Sequence, residues 1–122
     1  MQQRMLKFAG KEAVKLMVTQ TFKERNRGLL ALSKLNVGEG LLIIPCRSVH
    51  SFKMRYSIDL VYLDKQLKVV KIIERLKPNR MSIALLGYST LELLSGEVQR
   101  LGITLGDQGK LLDSLTYELE RV

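Results

Sequence analysis

Hydrophobic and polar positions alternate most cleanly in two places. Between Val14 and Val18, Val14, Leu16 and Val18 fall on one face and Lys15, Met17 and Thr19 on the other, the period-two pattern of a half-buried strand. From His50 to Tyr56, His50, Phe52, Met54 and Tyr56 face one way and Ser51, Lys53 and Arg55 the other, which predicts a strand with one dry and one basic face. Unbroken apolar runs add buried strands. Leu41 to Ile44 follows Gly38 and Gly40 and ends at Pro45, which cannot donate to a ladder. Ile58 to Leu63 continues through the turn Asp64-Lys65-Gln66 into Leu67 to Leu76, a hairpin. Pro78 and Asn79 then open a loop, after which Met81 to Leu86 and Tyr88 to Leu94 read as two more extended segments.

Helix signals are few. Thr21 and Glu24 have capping-box spacing, so a short helix should start near Phe22, bury Phe22, Leu29 and Leu30, and end within a turn or two of Gly28. Ser95 is placed to cap a helical turn from Gly96 to Leu101, with Gly102 as its stop. Lys110 to Asp113 reads as a brief closing strand, followed by a helical tail carrying Leu115, Leu119 and Val122. These elements predict a mainly β fold with short helices: one domain over 1–122, a β-sandwich or barrel-like structure. Residues 1–20 form an N-terminal extension with a strand, and 113–122 a C-terminal tail.

Composition narrows the class. At 122 residues with 46% apolar and 26% charged positions, the chain suits one hydrophobic core and is not a disordered sequence. No apolar stretch approaches the roughly 18 residues of a spanning helix, and Lys7, Lys11, Glu12 and Lys15 interrupt any signal-peptide core, so a cytoplasmic location is expected. One cysteine, Cys46, and one histidine, His50, exclude an internal disulfide and a Cys/His zinc cage within one chain. Neither a nucleophile elbow nor a glycine-rich phosphate loop occurs. No cofactor is expected, and the enzyme question stays open with the balance against catalysis.

The order of segments resembles the domain of unknown function 192 family of small prokaryotic proteins, over Thr21 to Asp107. The resemblance rests on Glu24-Arg-Asn-Arg-Gly28-Leu29-Leu30, Gly40 to Pro45, and the core stretch Val49-His50-Ser51-Phe52-Lys53-Met54-Arg55-Tyr56-Ser57-Ile58-Asp59 running on to Asp64. Leu91-Glu92-Leu93 with Gly96, and Leu101-Gly102-Ile103 leading to Gly106-Asp107, complete it. Ser57 stands where that family typically has proline, and Lys53 where glycine or tryptophan is usual. The resemblance implies a compact β-sandwich-like domain with short helices and no established activity. It also implies relatives that are exported, lipid-anchored, or accessory to pilus or secretion machinery.

Two residues invite chemistry. Cys46, His50 and Met54 would share parity on an unbroken strand, a soft donor set that suits Cu(I); bending near Pro45 and ordinary core roles for Met and His are the favoured account, so no metal is expected. Asp59 falls among Val61 and Leu63 on one strand face, where an unpaired carboxylate costs several kcal/mol. Arg27 or Arg55 is its expected partner. The alternative makes Asp59, His50, Arg55 and Arg27 the lining of a polar pocket for a small, sugar-like ligand or a hydrolytic reaction.

Charge supplies the remaining functional signal. The net charge is +8, yet residues 1–80 carry 17 Lys and Arg against 6 Asp and Glu, and residues 81–122 carry 3 against 6. Lys23, Arg25, Arg27 and Lys34 around the first helix, with Arg47, Lys53 and Arg55 on the wet strand face, form a candidate basic face. The expectation is a binding or accessory domain whose basic face meets an acidic protein partner. A small-molecule ligand is the second reading and nucleic acid the third, since no nucleic-acid motif accompanies the charge.

Overall fold

The computed structural model describes residues 1–27, 35–51 and 55–113, with Asn26 and Arg27 traced by backbone. Its elements are β1 (Gln2–Phe8), β2 (Val14–Val18), α1 (Phe22–Arg27), β3 (Glu39–Ile43), β4 (Ser48–His50), β5 (Ile58–Leu63), β6 (Val69–Leu76), β7 (Met81–Ile83), β8 (Ser89–Leu94), α2 (Glu97–Leu101) and β9 (Gly109–Leu112). Seven strands form one sheet in the order β6-β5-β8-β3-β2-β1-β9, and β4 and β7 form a separate two-stranded sheet. All pairings are antiparallel except β2 with β3.

The large sheet curls until its two ends nearly meet. Lys68 bridges Gln108, the Val69 amide donates to the Asp107 carbonyl (2.9 Å), and the Gly109 amide donates to the Leu67 carbonyl (2.9 Å). Gly109 is required there: a Cβ would lie 3.0 Å from the Leu67 carbonyl oxygen and 3.1 Å from Leu6 and Phe8. One core fills the curl, with Leu6 and Phe8 of β1, Leu16 of β2, Val61 and Leu63 of β5 and Leu91 and Leu93 of β8, plugged by Val98 and Leu101 of α2. A second core covers the opposite face of the sheet, where Leu41, Ile43, Ile58, Leu60 and Tyr62 pack under Val49 of β4 and Ala84 beyond β7. The mainly β, barrel-like architecture with short helices is thus the fold, and the two cores explain why β5 and β8 are buried on both faces.

Several expectations need correction. The capping box at Thr21 and Glu24 forms as expected, with Glu24 N–H donating to Thr21 Oγ1 (3.1 Å) and Thr21 N–H to Glu24 Oε1 (3.2 Å). Phe22, however, is 76% exposed instead of buried, while Leu29 and Leu30 lie outside the described residues. The strand expected over His50 to Tyr56 ends at His50, and residues 52–54 lie outside the described residues. The stretch expected as a strand over Met81 to Leu86 is strand only to Ile83, because the Gly87 amide closes a turn on the Ala84 carbonyl (3.0 Å). β1, which pairs with both β2 and β9, has no counterpart among the expected strands; its alternation extends only over Leu6 to Phe8, with Gln2, Gln3 and Arg4 ahead of it. The expected closing strand is β9, and the helical tail beyond Asp113 lies outside the described residues.

Candidate interaction face

Asp59 belongs to the inner side of the sheet, fully buried beneath α2. Its Oδ2 accepts the amides of Gly96 (3.0 Å) and Val98 (2.9 Å), and its Oδ1 the amide of Arg75 (2.8 Å). Gly96, at the N-cap with φ 95°, has no side-chain oxygen, and Ser95 makes no cap bond, so a carboxylate from β5 supplies it across the sheet. The Arg75 amide is orphaned for a separate reason. The β5–β6 register slips between Ile58 and Leu60, and Arg75 takes φ 57° opposite the slip. The partners of Asp59 are therefore three main-chain amides, not the guanidinium of Arg27 or Arg55. Arg55 is an exposed residue in a bend, and the Arg27 side chain lies outside the described residues.

The neighbouring Glu97 extends this framework. It is tied to Arg100 and accepts the Gly38 amide (2.5 Å), and Arg100 reaches on to Glu12 (2.8 Å). The Arg100 contact holds the Glu97 carboxyl below the ordinary range, as the Lys11 ammonium at 2.9 Å does for Asp107. These groups clamp α2 and its loop to the sheet.

The outer side is built differently. Two connecting stretches, 44–51 and 77–88, fold over it and pair through β4 and β7, with Ser48 opposite Ile83, Val49 opposite Ser82 and His50 opposite Met81. Val49 and Ala84 point into the outer core and anchor the small sheet. Ser51 locks its end, donating its hydroxyl to the Lys77 carbonyl (2.5 Å) and accepting the Arg80 amide (2.8 Å), while its own amide bonds the Arg80 carbonyl (2.8 Å). At the start of this stretch the predicted faces are reversed, with Ser51 buried and His50 exposed, whereas Arg55 is exposed and Tyr56 packs half-buried against the outer core as expected.

This arrangement gathers cations. Arg47, Arg55, Lys77 and Arg80 are all exposed, and the connecting segments 44–57 and 77–88 together contain five Lys and Arg and no Asp or Glu. Of the other residues expected on the basic face, Lys23 is exposed and Arg25 half-buried on α1, while Lys34 and Lys53 lie outside the described residues. Interleaved with the cations are four large apolar side chains, Met81 (70% exposed), Ile83 (56%), Leu85 (79%) and Leu86 (80%). Lys77, Arg80 and this apolar run were not expected on the basic face, because nothing local in 77–86 shows that β7 pairs with β4 beside Arg47. The signal available was the absence of acidic residues from both segments.

Under the small sheet lies a polar patch that the sequence reading also missed. Glu92 and Thr90 sit on the outer face of β8, in register with Leu41 and Ile43 of β3 and with Leu60 and Tyr62 of β5. Both are buried. The Thr90 hydroxyl donates to the Cys46 carbonyl (3.2 Å), and the Cys46 thiol donates to the Ser48 carbonyl (3.1 Å). Burial pushes the Cys46 thiol and the Tyr56 and Tyr62 phenols above their ordinary ranges, and the Glu92 charge adds to each. The Tyr62 and Ser82 hydroxyls are neighbours whose geometry falls short of a hydrogen bond. In an alternating run such as Leu91-Glu92-Leu93, a glutamate reads as the wet position; only the second core makes it interior.

Asp59 and His50, paired in the expected pocket, are not brought together. Asp59 faces α2 on the inner side, and His50 stands on the small sheet covering the outer side. Cys46 is partly buried under that sheet while His50 is exposed, and Met54 lies outside the described residues. Among the described residues no group of three or more His, Cys, Asp or Glu could hold a metal, and no helix is long and apolar enough to cross a membrane.

Fold and face together define a small half-barrel β domain whose outer side carries a cationic, apolar-studded two-stranded lid. The chain belongs to the DUF192 family, described as an uncharacterized ACR, whose model matches residues 5–111. No curated protein matches it. Two solved structures share the fold. One is a protein of unknown function from Novosphingobium aromaticivorans DSM 12444, 20% identical, with TM-score 0.76 over 88% of this chain and 83% of that one. The other is a "putative transcription regulator" from Sinorhizobium meliloti 1021, 17% identical, with TM-score 0.79 over 90% of this chain and 94% of that one.

Proposed function

We propose that this protein is a binding domain that contacts an acidic partner protein through the outer lid. The observation that carries this reading is the charge of the lid: Arg47, Arg55, Lys77 and Arg80 are exposed, and the two connecting segments, 44–57 and 77–88, which β4 and β7 join, contain no Asp or Glu. A face of one sign raises the encounter rate with an oppositely charged partner and repels like-charged ones. The four exposed aliphatic side chains beside the cations supply area for a protein contact. The link to pilus or secretion machinery rests on family resemblance, and the lid is the part of this chain suited to such an accessory role.

Nucleic acid is the second reading, favoured by the charge and by the description of the Sinorhizobium meliloti structure. The exposed apolar side chains of the lid are aliphatic, which suits burial against another protein better than stacking on bases, so protein is preferred. Co-precipitation from native extract, comparing wild type with Arg47→Glu/Arg80→Glu and with Lys23→Glu/Arg25→Glu, tests the proposal. The lid reversal should lose acidic proteins retained by wild type, and the α1 reversal should keep them. Equal retention by all three, or loss of the bound material on nuclease treatment, contradicts it.

A further inference from the structure

Within the lid, the turn after β7 is built against local preference. Gly87 N–H donates to the Ala84 carbonyl (3.0 Å), which makes Leu85 and Leu86 the two central residues of a four-residue turn. Turn centres ordinarily carry Gly, Pro, Asn, Asp or Ser, because those residues suit the dihedrals or the solvent; two leucines there gain nothing locally. The turn is nevertheless anchored. Ala84 is buried, its amide donates to the Arg47 carbonyl (2.8 Å), and a Cβ on Gly87 would stand 3.2 Å from the Ala84 carbonyl oxygen. Leu85 and Leu86 are thus held outward by a fixed scaffold.

Beside this turn runs an open groove of about 360 Å³, lined by Val70 and Lys71 of β6 and by Ile83, Ala84, Leu85 and Leu86. Its apolar walls come from both elements. Its cation is Lys71, whose ammonium donates to the Ile83 carbonyl (2.6 Å) and ties the groove's two sides together. An ammonium has three donors, and one is used here among the described residues, so a carboxylate entering the groove finds two more.

We propose that this groove is a peptide-binding site for an extended acidic segment of the partner, taking aliphatic side chains between β6 and the Ala84–Gly87 turn while Lys71 and the lid arginines meet its carboxylates. The inference rests on the acidic-partner reading and adds where the segment sits and what its side chains must be. Charge complementarity selects this occupant. A groove with apolar walls whose one charged lining residue is Lys71 disfavours basic segments, and an acidic segment without apolar residues would leave the leucines in water.

Selection of a displayed random 12-residue peptide library on the full-length protein, followed by fluorescence anisotropy with the most enriched peptide, tests this. Enriched peptides should be acidic with aliphatic residues at alternate positions. Leu85→Ser/Leu86→Ser should weaken binding at least about tenfold, the loss expected when a leucine-sized contact is removed. Both leucines are exposed, so the variant should keep the wild-type melting temperature. Acidic peptides without apolar positions, indifferent to the leucine variant but lost with Arg47→Glu/Arg80→Glu, overturn the groove and leave the acidic-partner reading standing. No enrichment, or peptides that are not acidic and ignore both variants, overturns both. Leucine-dependent sedimentation with phosphatidylserine-containing vesicles, without peptide selection, assigns the surface to a membrane and overturns both as well.

Discussion

Removing the Asp59 carboxylate should unfasten α2 from the sheet. Three amides, those of Arg75, Gly96 and Val98, donate to it at 2.8–3.0 Å in a fully buried site. A hydrogen bond to a charged group contributes about 1.5–3 kcal/mol, and the orphaned donors of Asp59→Ala are partly rehydrated once α2 loosens, so the expected loss is about 3–5 kcal/mol. That is a large share of the roughly 5–15 kcal/mol that holds a domain folded. Asp59→Asn keeps one carbonyl oxygen. Its best orientation retains Gly96 and Val98 and turns an amide N–H₂ toward the Arg75 N–H, with an expected loss of about 1.5–3 kcal/mol. Urea unfolding followed by circular dichroism measures both, and hydrogen exchange should show the amides of Arg75, Gly96 and Val98 losing protection before the β3–β8 ladder does. An Asp59→Ala variant within about 0.5 kcal/mol of wild type would refute the reasoning, as that is the scatter of ordinary surface substitutions. So would an Arg55→Ala variant as unstable as Asp59→Ala, because it would restore a side-chain partner.

Other outcomes follow from the same geometry. Gly109→Ala should cost about 1–3 kcal/mol in urea unfolding, since its Cβ meets the Leu67 carbonyl where the sheet closes and a backbone atom cannot rotate away. Ser51→Ala should lose about 1–3 kcal/mol by stranding the Arg80 amide and the Lys77 carbonyl, with new exchange concentrated in β4 and β7. Glu97 and Asp107 have lowered folded values, so their stabilisation is fully present above the ordinary carboxylate range and is lost as pH falls through those lowered values. Glu97→Gln should therefore reduce stability at neutral pH and flatten the acid limb of a stability–pH curve; an unchanged limb contradicts this. Cys46 should alkylate slowly at pH 8 and faster only as pH passes the ordinary thiol range, because burial raises it.

Much of the sheet was legible in the sequence because periodicity reports burial. The β5–β6 hairpin stands out because Asp64 caps its own turn, accepting the amides of Gln66 (2.9 Å) and Lys68 (3.0 Å), and its flanking runs are apolar. What was hidden depends on contacts far along the chain. The expected partner of Asp59 was an arginine, because a carboxylate on an apolar face needs compensation; that it receives three amides depends on a register slip in β6 and a glycine cap 37 residues on. Glu92 sits in a strand covered on both sides, which no single strand's pattern reveals. The lid was misread because His50 to Tyr56 alternates perfectly, yet main-chain bonds from Ser51 to Arg80 and from Asn79 to Ser51 end the small sheet there. Alternation marks what a segment could bury, and the hydrogen-bond partners available in the fold decide whether it continues as strand.

The most direct test of the lid as a binding face is a heteronuclear amide-shift titration of the labelled protein with an enriched acidic peptide. The account predicts shifts concentrated in residues 47–51, 70–72 and 77–87, with α2 and the Asp59-bonded amides of Gly96 and Val98 unmoved. Shifts centred on α2 and residues 96–104, with the lid silent, would contradict it.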